Sequence, residues 1–169
     1  MRKAIMIAGL ILALGVLAPV GALGKAGGTD RPVKGTTSGT VTGTLTSPLG
    51  ITVDLTGVAT HLGKYNVHID AVGVISGDEV VVDGTFTVVA ANGDQLTGTA
   101  TTTTPLSQLA EVHTTTALLT INGGTGRFSD ASGTLTSQNL ETPICFAEPS
   151  CPGLIIDTLE GQLTGKISY

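Results

Sequence analysis

The sequence has few aromatic and few charged residues, and it has no tryptophan. Only 3% of its 169 residues are aromatic and only 12% are charged. A surface that stacks nucleobases or sugar rings needs aromatic side chains, so such a surface is not expected. With 13 acidic against 8 basic residues, the chain also lacks the basic face that nucleic acids and anionic membranes require. We therefore expect no nucleic-acid partner.

Motifs for catalysis and metal binding are also missing. The chain has no Gly-x-Ser-x-Gly nucleophile elbow, and its glycine-rich run 123–126 lacks the lysine that completes a phosphate-binding loop. A site built from His61, His68 and His113 would need all three on one face, but strand parity puts His61 and His68 on opposite faces, so a shared histidine metal site is not expected. We predict no catalytic residue, no metal and no cofactor, which favours a non-enzymatic role and leaves an enzymatic one open.

The first 24 residues carry the features of an export signal. Arg2 and Lys3 precede an almost unbroken apolar run over residues 4–17, and no further charge occurs before Lys25. The apolar run is shorter than the roughly 20 residues that a membrane-spanning helix needs. A basic start, a short apolar segment and small residues after it predict a helical, cleavable signal peptide over residues 1–24.

Cleavage could follow any of three small residues: Ala22, Gly24 or Ala26. The bond between Gly24 and Lys25 is favoured. Cleavage there would leave 145 residues and change the formal net charge from −5 to −7, because the leader holds Arg2 and Lys3 but no acidic residue. An uncleaved membrane anchor is the alternative, which Pro19 disfavours because proline ends a helix. We expect a protein that is secreted or held in the cell envelope, with no stable membrane span after cleavage.

The only two cysteines, Cys145 and Cys151, lie close together in the sequence. In an exported chain such a pair predicts a local disulfide. The five residues between them include Pro149, which favours a bend. With no histidine beside them, the two cysteines make a poor metal site.

Apolar and polar residues alternate with period two through eight runs in the rest of the chain. In one of the clearest, Ile51, Val53 and Leu55 alternate with Thr52 and Asp54. Such alternation is typical of strands with one buried face, and no segment shows the 3.6-residue period of a helix. Residues 25–37 lack the pattern and are predicted to be a flexible leader, followed by a β-barrel domain over residues 38–169.

Short turns separate most of the runs. The segment 92–94 (Asn-Gly-Asp) is a strong hairpin signal because asparagine and glycine tolerate positive φ angles. Short connections make successive strands antiparallel neighbours. The sequence therefore predicts an all-β fold, an eight-stranded antiparallel up-and-down β-barrel, with a two-sheet sandwich as the main alternative. Glycines recur on the apolar face, where they relieve crowding in a tightly coiled barrel: Gly43, Gly57, Gly73, Gly84, Gly98, Gly161 and Gly165.

One turn segment, residues 123–133, has the sequence GGTGRFSDASG. It resembles the Gly-Gly-Thr-Gly-x-Phe-x-x-Ala-x-Gly pattern of dirigent proteins, which share an eight-stranded barrel and a central pocket with the allene oxide cyclases. Residues 60–64 are similar to a turn in exported bacterial members of this group. The resemblance implies the barrel fold. The motif is expected to be structural: Gly123, Gly124 and Gly126 shape the turn, and Phe128 plugs one end of the barrel.

The best candidate ligand-binding residues are His61 and Tyr65. His61 continues the apolar parity of the second run, and Tyr65 shares that face after the turn. Both are expected near a barrel mouth, where they could orient a small ligand or donate a proton. The alternatives are a histidine that caps the turn and an ordinary tyrosine at the barrel rim.

Three functions fit these observations. The first is a secreted barrel that binds a small apolar molecule in its interior. The second is a cyclase or isomerase of the allene oxide cyclase or dirigent type, which would work by holding a substrate's shape. The third is a structural envelope protein with a filled core, because eight strands leave little interior space. A cavity well above about 300 Å³ would favour the first two. The oligomeric state stays open, a homo-oligomer included.

Overall fold

The computed structural model describes residues 28–169, so the predicted signal peptide lies outside the described residues. Two single-turn 3₁₀ segments, Leu106–Gln108 and Gly126–Phe128, accompany the strands. Across residues 28–169, no helix has the length and apolar character needed to cross a membrane. The remaining elements are eight β-strands: β1 (Asp30–Thr44), β2 (Leu49–Ala59), β3 (Gly63–Ser76), β4 (Glu79–Val89), β5 (Gln95–Pro105), β6 (His113–Gly124), β7 (Ser132–Phe146) and β8 (Leu154–Ser168).

The eight strands form a closed up-and-down barrel. Each strand pairs antiparallel with the next, and β1 pairs with β8 along its whole length, from Asp30 opposite Ser168 to Thr44 opposite Leu154. The closure leaves no open edge among the described strands, which removes a site of uncontrolled pairing. The predicted antiparallel barrel is confirmed, and the sandwich alternative is wrong.

The first strand is longer than the sequence predicted. It begins at Asp30, so the assignment of residues 25–37 to a flexible leader is wrong from residue 30 onward, and the barrel starts eight residues before Ser38. The inward positions here are occupied by Val33, Gly35 and Thr37, and two of these have no apolar side chain. The period-two signal is therefore weak, and pairing with both β2 and β8 orders the segment instead.

Cys145 and Cys151 form the predicted disulfide, with their Cα atoms 6.5 Å apart. The bond closes the loop that joins β7 to β8. Beside it the register of the β7–β8 ladder shifts between Pro143 and Cys145. Disulfides are typical of proteins that fold in an oxidising compartment.

The two ends of the barrel differ. At the end where β1 begins, which we call the plugged end, the connections are residues 60–62, 90–94 and 125–131. At the opposite end, the mouth, they are residues 45–48, 77–78, 106–112 and 147–153. The large side chains with the least exposed surface all lie toward the plugged end: Phe128, Leu62, Leu96, Leu135, Ile167, Val33 and Val88.

Phe128 fills the plugged end. Its ring is fully buried and meets the ring of Tyr169 edge to face, with 4.9 Å between centroids. The guanidinium of Arg127 lies 4.6 Å above the Phe128 ring and donates a 2.7 Å hydrogen bond to the carbonyl of His61. Gly126 has φ +56°, and a Cβ there would clash with the carboxylate of Asp94. The glycine lets the turn fold tightly enough to place the ring in the barrel.

Gly98 on β5 allows a close approach between strands. A Cβ at this position would clash with the backbone oxygen of Thr120 and lie 2.8 Å from the Phe86 ring. We expect Gly98→Ala to lower the free energy of unfolding by about 3 kcal/mol, at the upper end of the cost of overpacking. Chemical denaturation followed by circular dichroism measures the loss.

Gly50→Ala is the matched control for Gly98→Ala. Gly50 is an exposed strand residue, and the only atom near a Cβ there is the Thr44 hydroxyl oxygen at 3.3 Å. Its substitution should change the stability by less than about 0.5 kcal/mol. Equal losses in the two variants would mean that the close approach at Gly98 is not a constraint.

Candidate functional site

The barrel encloses a cavity of about 140 Å³. It extends from Tyr65 and Leu163, next to the plugged end, to Leu49 and Ile155 near the mouth, and all eight strands contribute side chains to it. Several inward-pointing side chains in the middle of the barrel are only half-buried, which reflects this open space: Val41, Ile51, Val53, Val82 and Ala117.

One wall of the cavity is aliphatic. It is formed by β2, β3 and β4, whose outward faces carry polar residues such as Asp54, His68 and Thr87. Apart from Tyr65, the inward side chains of these strands that line the cavity are apolar: Leu49, Ile51, Val53, Leu55, Val67, Ile69, Ala71, Val80 and Val82. This wall, which we call the aliphatic wall, would contact the hydrocarbon part of a ligand.

The opposite wall carries buried polar groups. It is formed by β6, β7, β8 and the middle of β1, where polar residues are interspersed with Ala117, Leu119 and Leu159. Two of its side chains are carboxyls. We call the following set the polar wall: Thr37, Thr115, Ser137, Asn139, Glu141 and Asp157. The cavity is therefore lined mainly by hydrocarbon, with its carboxyls and amide gathered on one side and the threonines of β5, such as Thr104, between the two walls.

A hydrogen bond from Thr115 holds Glu141 in position, and His113 lies beside the carboxylate without a hydrogen bond to it. The Thr115 hydroxyl donates to Glu141 Oε1 at 2.7 Å, and His113 Nε2 lies 3.5 Å from Glu141 Oε2. His113 Nδ1 bonds to the backbone carbonyl of Glu111 at 2.8 Å. Because a carbonyl can only accept, Nδ1 carries the hydrogen and Nε2 faces the carboxylate. His113 is buried, so this contact is shielded from solvent.

A second buried pair lies beside this group. The Ser137 hydroxyl donates to Asn139 Oδ1 at 2.8 Å. Asn139 lies opposite Gly161 of β8, where a Cβ would clash with Asn139 Oδ1. Gly161 therefore provides the space in which the asparagine side chain turns inward.

Asp157 is the most unusual group of the polar wall. Its side chain has only 4% of its surface exposed, and Oδ1 has no hydrogen-bond partner among the residues that the structure describes. The pKa of this carboxyl is raised from 3.8 to about 6, first because burial disfavours its charged form and second because Glu141 is negatively charged, while His113 lowers it. The group therefore exchanges a proton close to neutral pH, inside the cavity.

The strand register brings the two carboxyls together. Glu141 pairs with His113 across β6 and with Leu159 across β8. Asp157 lies two residues before Leu159 on the same face, so it is the diagonal neighbour of Glu141. Diagonal neighbours on one face of a sheet are within reach of long side chains.

The structure separates the two predicted ligand-binding residues. Tyr65 is buried and lines the cavity, where its hydroxyl donates to the Thr36 carbonyl at 3.1 Å and burial raises its pKa. His61 is exposed in the turn between β2 and β3, at the plugged end and outside the cavity. β2 ends at Ala59 and His61 has φ +65°, so the strand parity used to place His61 no longer applies there.

The other two histidines lie on different faces. His68 is exposed on the outside of β3, where Nδ1 is 2.7 Å from Asp54 and Nε2 is 3.3 Å from Asp70. The hydrogen bond to Asp54 raises the pKa of His68. His113 points inward. Within residues 28–169, no three histidine, cysteine or acidic side chains are grouped as a metal ion would need.

The sequence did not lead us to place Asp157 and His113 inside the barrel, although the alternation of neighbouring residues on their strands indicates it. The parity of Leu159, Leu163 and Ile167 on β8, continued backward, places Asp157 inside. The same continuation from Leu119 places His113 inside. The signal was weak because inward and outward positions are both polar in this part of β6 and β7.

Comparison with known proteins gives no match: no protein-family model, curated protein or solved structure is similar to this chain. The function is therefore argued from the cavity alone.

Proposed function

We propose that the protein is a secreted or cell-envelope binding protein that holds a small, mainly apolar molecule in its barrel. The observation that carries this proposal is the 140 Å³ cavity and its aliphatic wall. An engineered apolar cavity of about 150 Å³ in another protein takes up benzene or xenon. The disulfide and the predicted signal peptide support a location outside the cytoplasm.

The cavity volume limits the size of the ligand. Drug-sized ligands occupy pockets of about 300 Å³ or more, and this cavity has less than half that volume. A molecule of about six to eight non-hydrogen atoms fits such a space. This volume is below the roughly 300 Å³ that would favour a ligand-binding or enzymatic barrel by size alone, so the proposal rests on the presence of an apolar-lined space in the core, which a filled core would lack.

A cyclase or isomerase is the second candidate, and one specific observation favours it. Asp157 lines the cavity and its carboxyl, with a pKa of about 6, can accept or release a proton at neutral pH. The resemblance of residues 123–133 to dirigent proteins is in keeping with this candidate. Catalysis requires that the bound molecule change covalently. Mass spectra of a ligand recovered unchanged after prolonged incubation would favour binding alone.

Filling the cavity tests the proposed function. Ala117 is half-buried, points inward from β6 and lines the cavity. We expect Ala117→Leu to weaken the binding of toluene at least about tenfold by occupying its space, and to leave stability unchanged or raise it by about 0.5–2 kcal/mol, as cavity filling often does. Isothermal titration calorimetry and thermal unfolding measure the two effects.

Thr116→Leu is the matched control for Ala117→Leu. Thr116 is the next residue on β6 and its side chain is exposed on the outside of the barrel. This variant should bind toluene as the unmodified protein does. If Ala117→Leu binds toluene as tightly as the unmodified protein does, or if the unmodified protein binds no apolar probe of this size, charged or neutral, the barrel interior is not a ligand site.

A further inference from the structure

The charged groups of the cavity are predominantly acidic. Glu141 and Asp157 both line it, whereas no lysine or arginine does so in the described part of the chain. His113, whose Nε2 lies 3.5 Å from Glu141 Oε2, is not part of the lining. The chain as a whole is also acidic, with a formal net charge of −5. Such a protein attracts cations and repels anions as they approach.

Three buried polar atoms at or beside the polar wall have no hydrogen-bond partner within residues 28–169, namely Thr37 Oγ1, His113 Nε2 and Asp157 Oδ1, and only Asp157 Oδ1 belongs to a carboxyl. Glu141 already accepts from Thr115 and lies beside His113. Asp157 Oδ1 is nine-tenths or more buried and has no donor in residues 28–169. A buried carboxylate oxygen without a donor is costly, and the cost falls most when the donor carries a positive charge. A ligand that carries a positively charged hydrogen-bond donor would therefore satisfy Asp157 Oδ1 best.

We propose that the natural ligand is a small organic cation, a protonated amine on an apolar body, with its ammonium group bound by Asp157 and Glu141. The apolar body would lie against the aliphatic wall, which faces the carboxyls across the cavity. This inference rests on the proposed binding function and adds the chemical class of the ligand.

A hydrocarbon lining with carboxyls on one side matches such a molecule better than it matches a neutral hydrocarbon. A hydrocarbon would leave Asp157 Oδ1 without a donor and would gain nothing from the polar wall. An ammonium group has three donors, enough to reach both carboxyls. Ion pairs and hydrogen bonds are strengthened where water is excluded, although the cation must first lose its own hydration.

The pH dependence of binding follows from the groups around Asp157. The titratable groups that face it are Glu141 on β7 and His113 on β6. In the described part of β1, the residues that line the cavity are Thr37, Val41 and Gly43, and none of them titrates. An amine should therefore bind more weakly as the pH falls below 6 and Asp157 takes up its proton.

Calorimetry with three probes of the same size tests the ligand class: benzylamine, benzyl alcohol and toluene. At pH 7.5 we expect benzylamine to bind at least about tenfold more tightly than either neutral probe, as a charge-assisted hydrogen bond allows. The preference should shrink at pH 5. Asp157→Asn should abolish it while retaining the binding of toluene.

Glu160→Gln is the matched control, because Glu160 is an exposed residue on the outer face of β8. It should leave the preference for benzylamine intact. Equal affinity for benzylamine and benzyl alcohol would overturn the cation proposal while the binding function stands, and so would a preference that survives Asp157→Asn. If none of the three probes binds, the proposed binding function itself fails.

Discussion

Replacing Phe128 with alanine should lower the free energy of unfolding by about 4 kcal/mol, within the range measured for large aromatic side chains in protein cores. The ring has no exposed surface and packs edge to face against Tyr169 and beneath the guanidinium of Arg127. Its loss leaves a void at the plugged end that the closed barrel cannot collapse to fill. Urea denaturation followed by circular dichroism measures the change.

Phe146→Ala is the control for Phe128→Ala. Phe146 lies at the mouth, is half-buried, and packs against the smaller apolar cluster of Leu49, Val80 and Ile155. We expect a loss about half as large, because less of its surface is removed from water. If Phe128→Ala costs less than about 1 kcal/mol, or no more than Phe146→Ala, the turn motif does not plug the barrel.

Replacing Asp157 with asparagine should make the protein more stable at neutral pH. The folded state raises the pKa of this carboxyl from 3.8 to about 6, so folding favours the protonated form. The contribution of the protonated Asp157 carboxyl to the free energy of unfolding is fully present below pH 4 and is lost as the pH rises through 6. By pH 7.5 the ionised carboxyl should cost about 3 kcal/mol relative to an uncharged group.

Thermal unfolding of Asp157→Asn between pH 4 and pH 8 checks this prediction. We expect its melting temperature to exceed that of the unmodified protein by roughly 6–12 °C at pH 7.5, and the two proteins to converge near pH 4. Glu160→Gln, on the outer face of the same strand, should show no such pH-dependent gain. A less stable Asp157→Asn at pH 7.5 would show that the carboxylate is well solvated or paired.

The two effects expected of Asp157 point in opposite directions. Its charge destabilises the empty barrel, whereas the proposed cationic ligand needs that charge. A group that lowers stability in a cavity is typical of a functional site, where binding or catalysis takes precedence over stability. Asp157→Asn should therefore give a more stable protein that no longer distinguishes an amine from an alcohol.

The fold was predictable from the sequence because the alternation of β2, β3 and β4 is clean. In β2, for example, the apolar residues Ile51, Val53 and Leu55 face the core, whereas the residues between them face outward. Side chains on such inward faces fill the interior of the barrel. The beginning of β1 was not predictable in this way, because Gly35 and Thr37 occupy core-facing positions. There the partner strands, and not the local pattern, determine the structure.

The cavity was harder to predict than the fold for a related reason. A polar residue at an inward position looks like an outward one, so Asp157, Glu141 and Thr115 break the alternation that would reveal them. The expectation that His61 lies near a mouth depended on parity extended past the end of β2 into the turn. Tyr65 was placed on the inner face by parity within β3, where the backbone is extended, and the structure places it there.

The crystal structure of the protein under xenon pressure would test the central claim, an empty apolar space inside the barrel, most directly. Xenon enters apolar cavities of about this volume without needing a polar partner. We predict a xenon atom inside the barrel, in contact with Val53 and Ile69 of the aliphatic wall. Its absence, with side chains from opposite walls packed together at that point, would contradict the account.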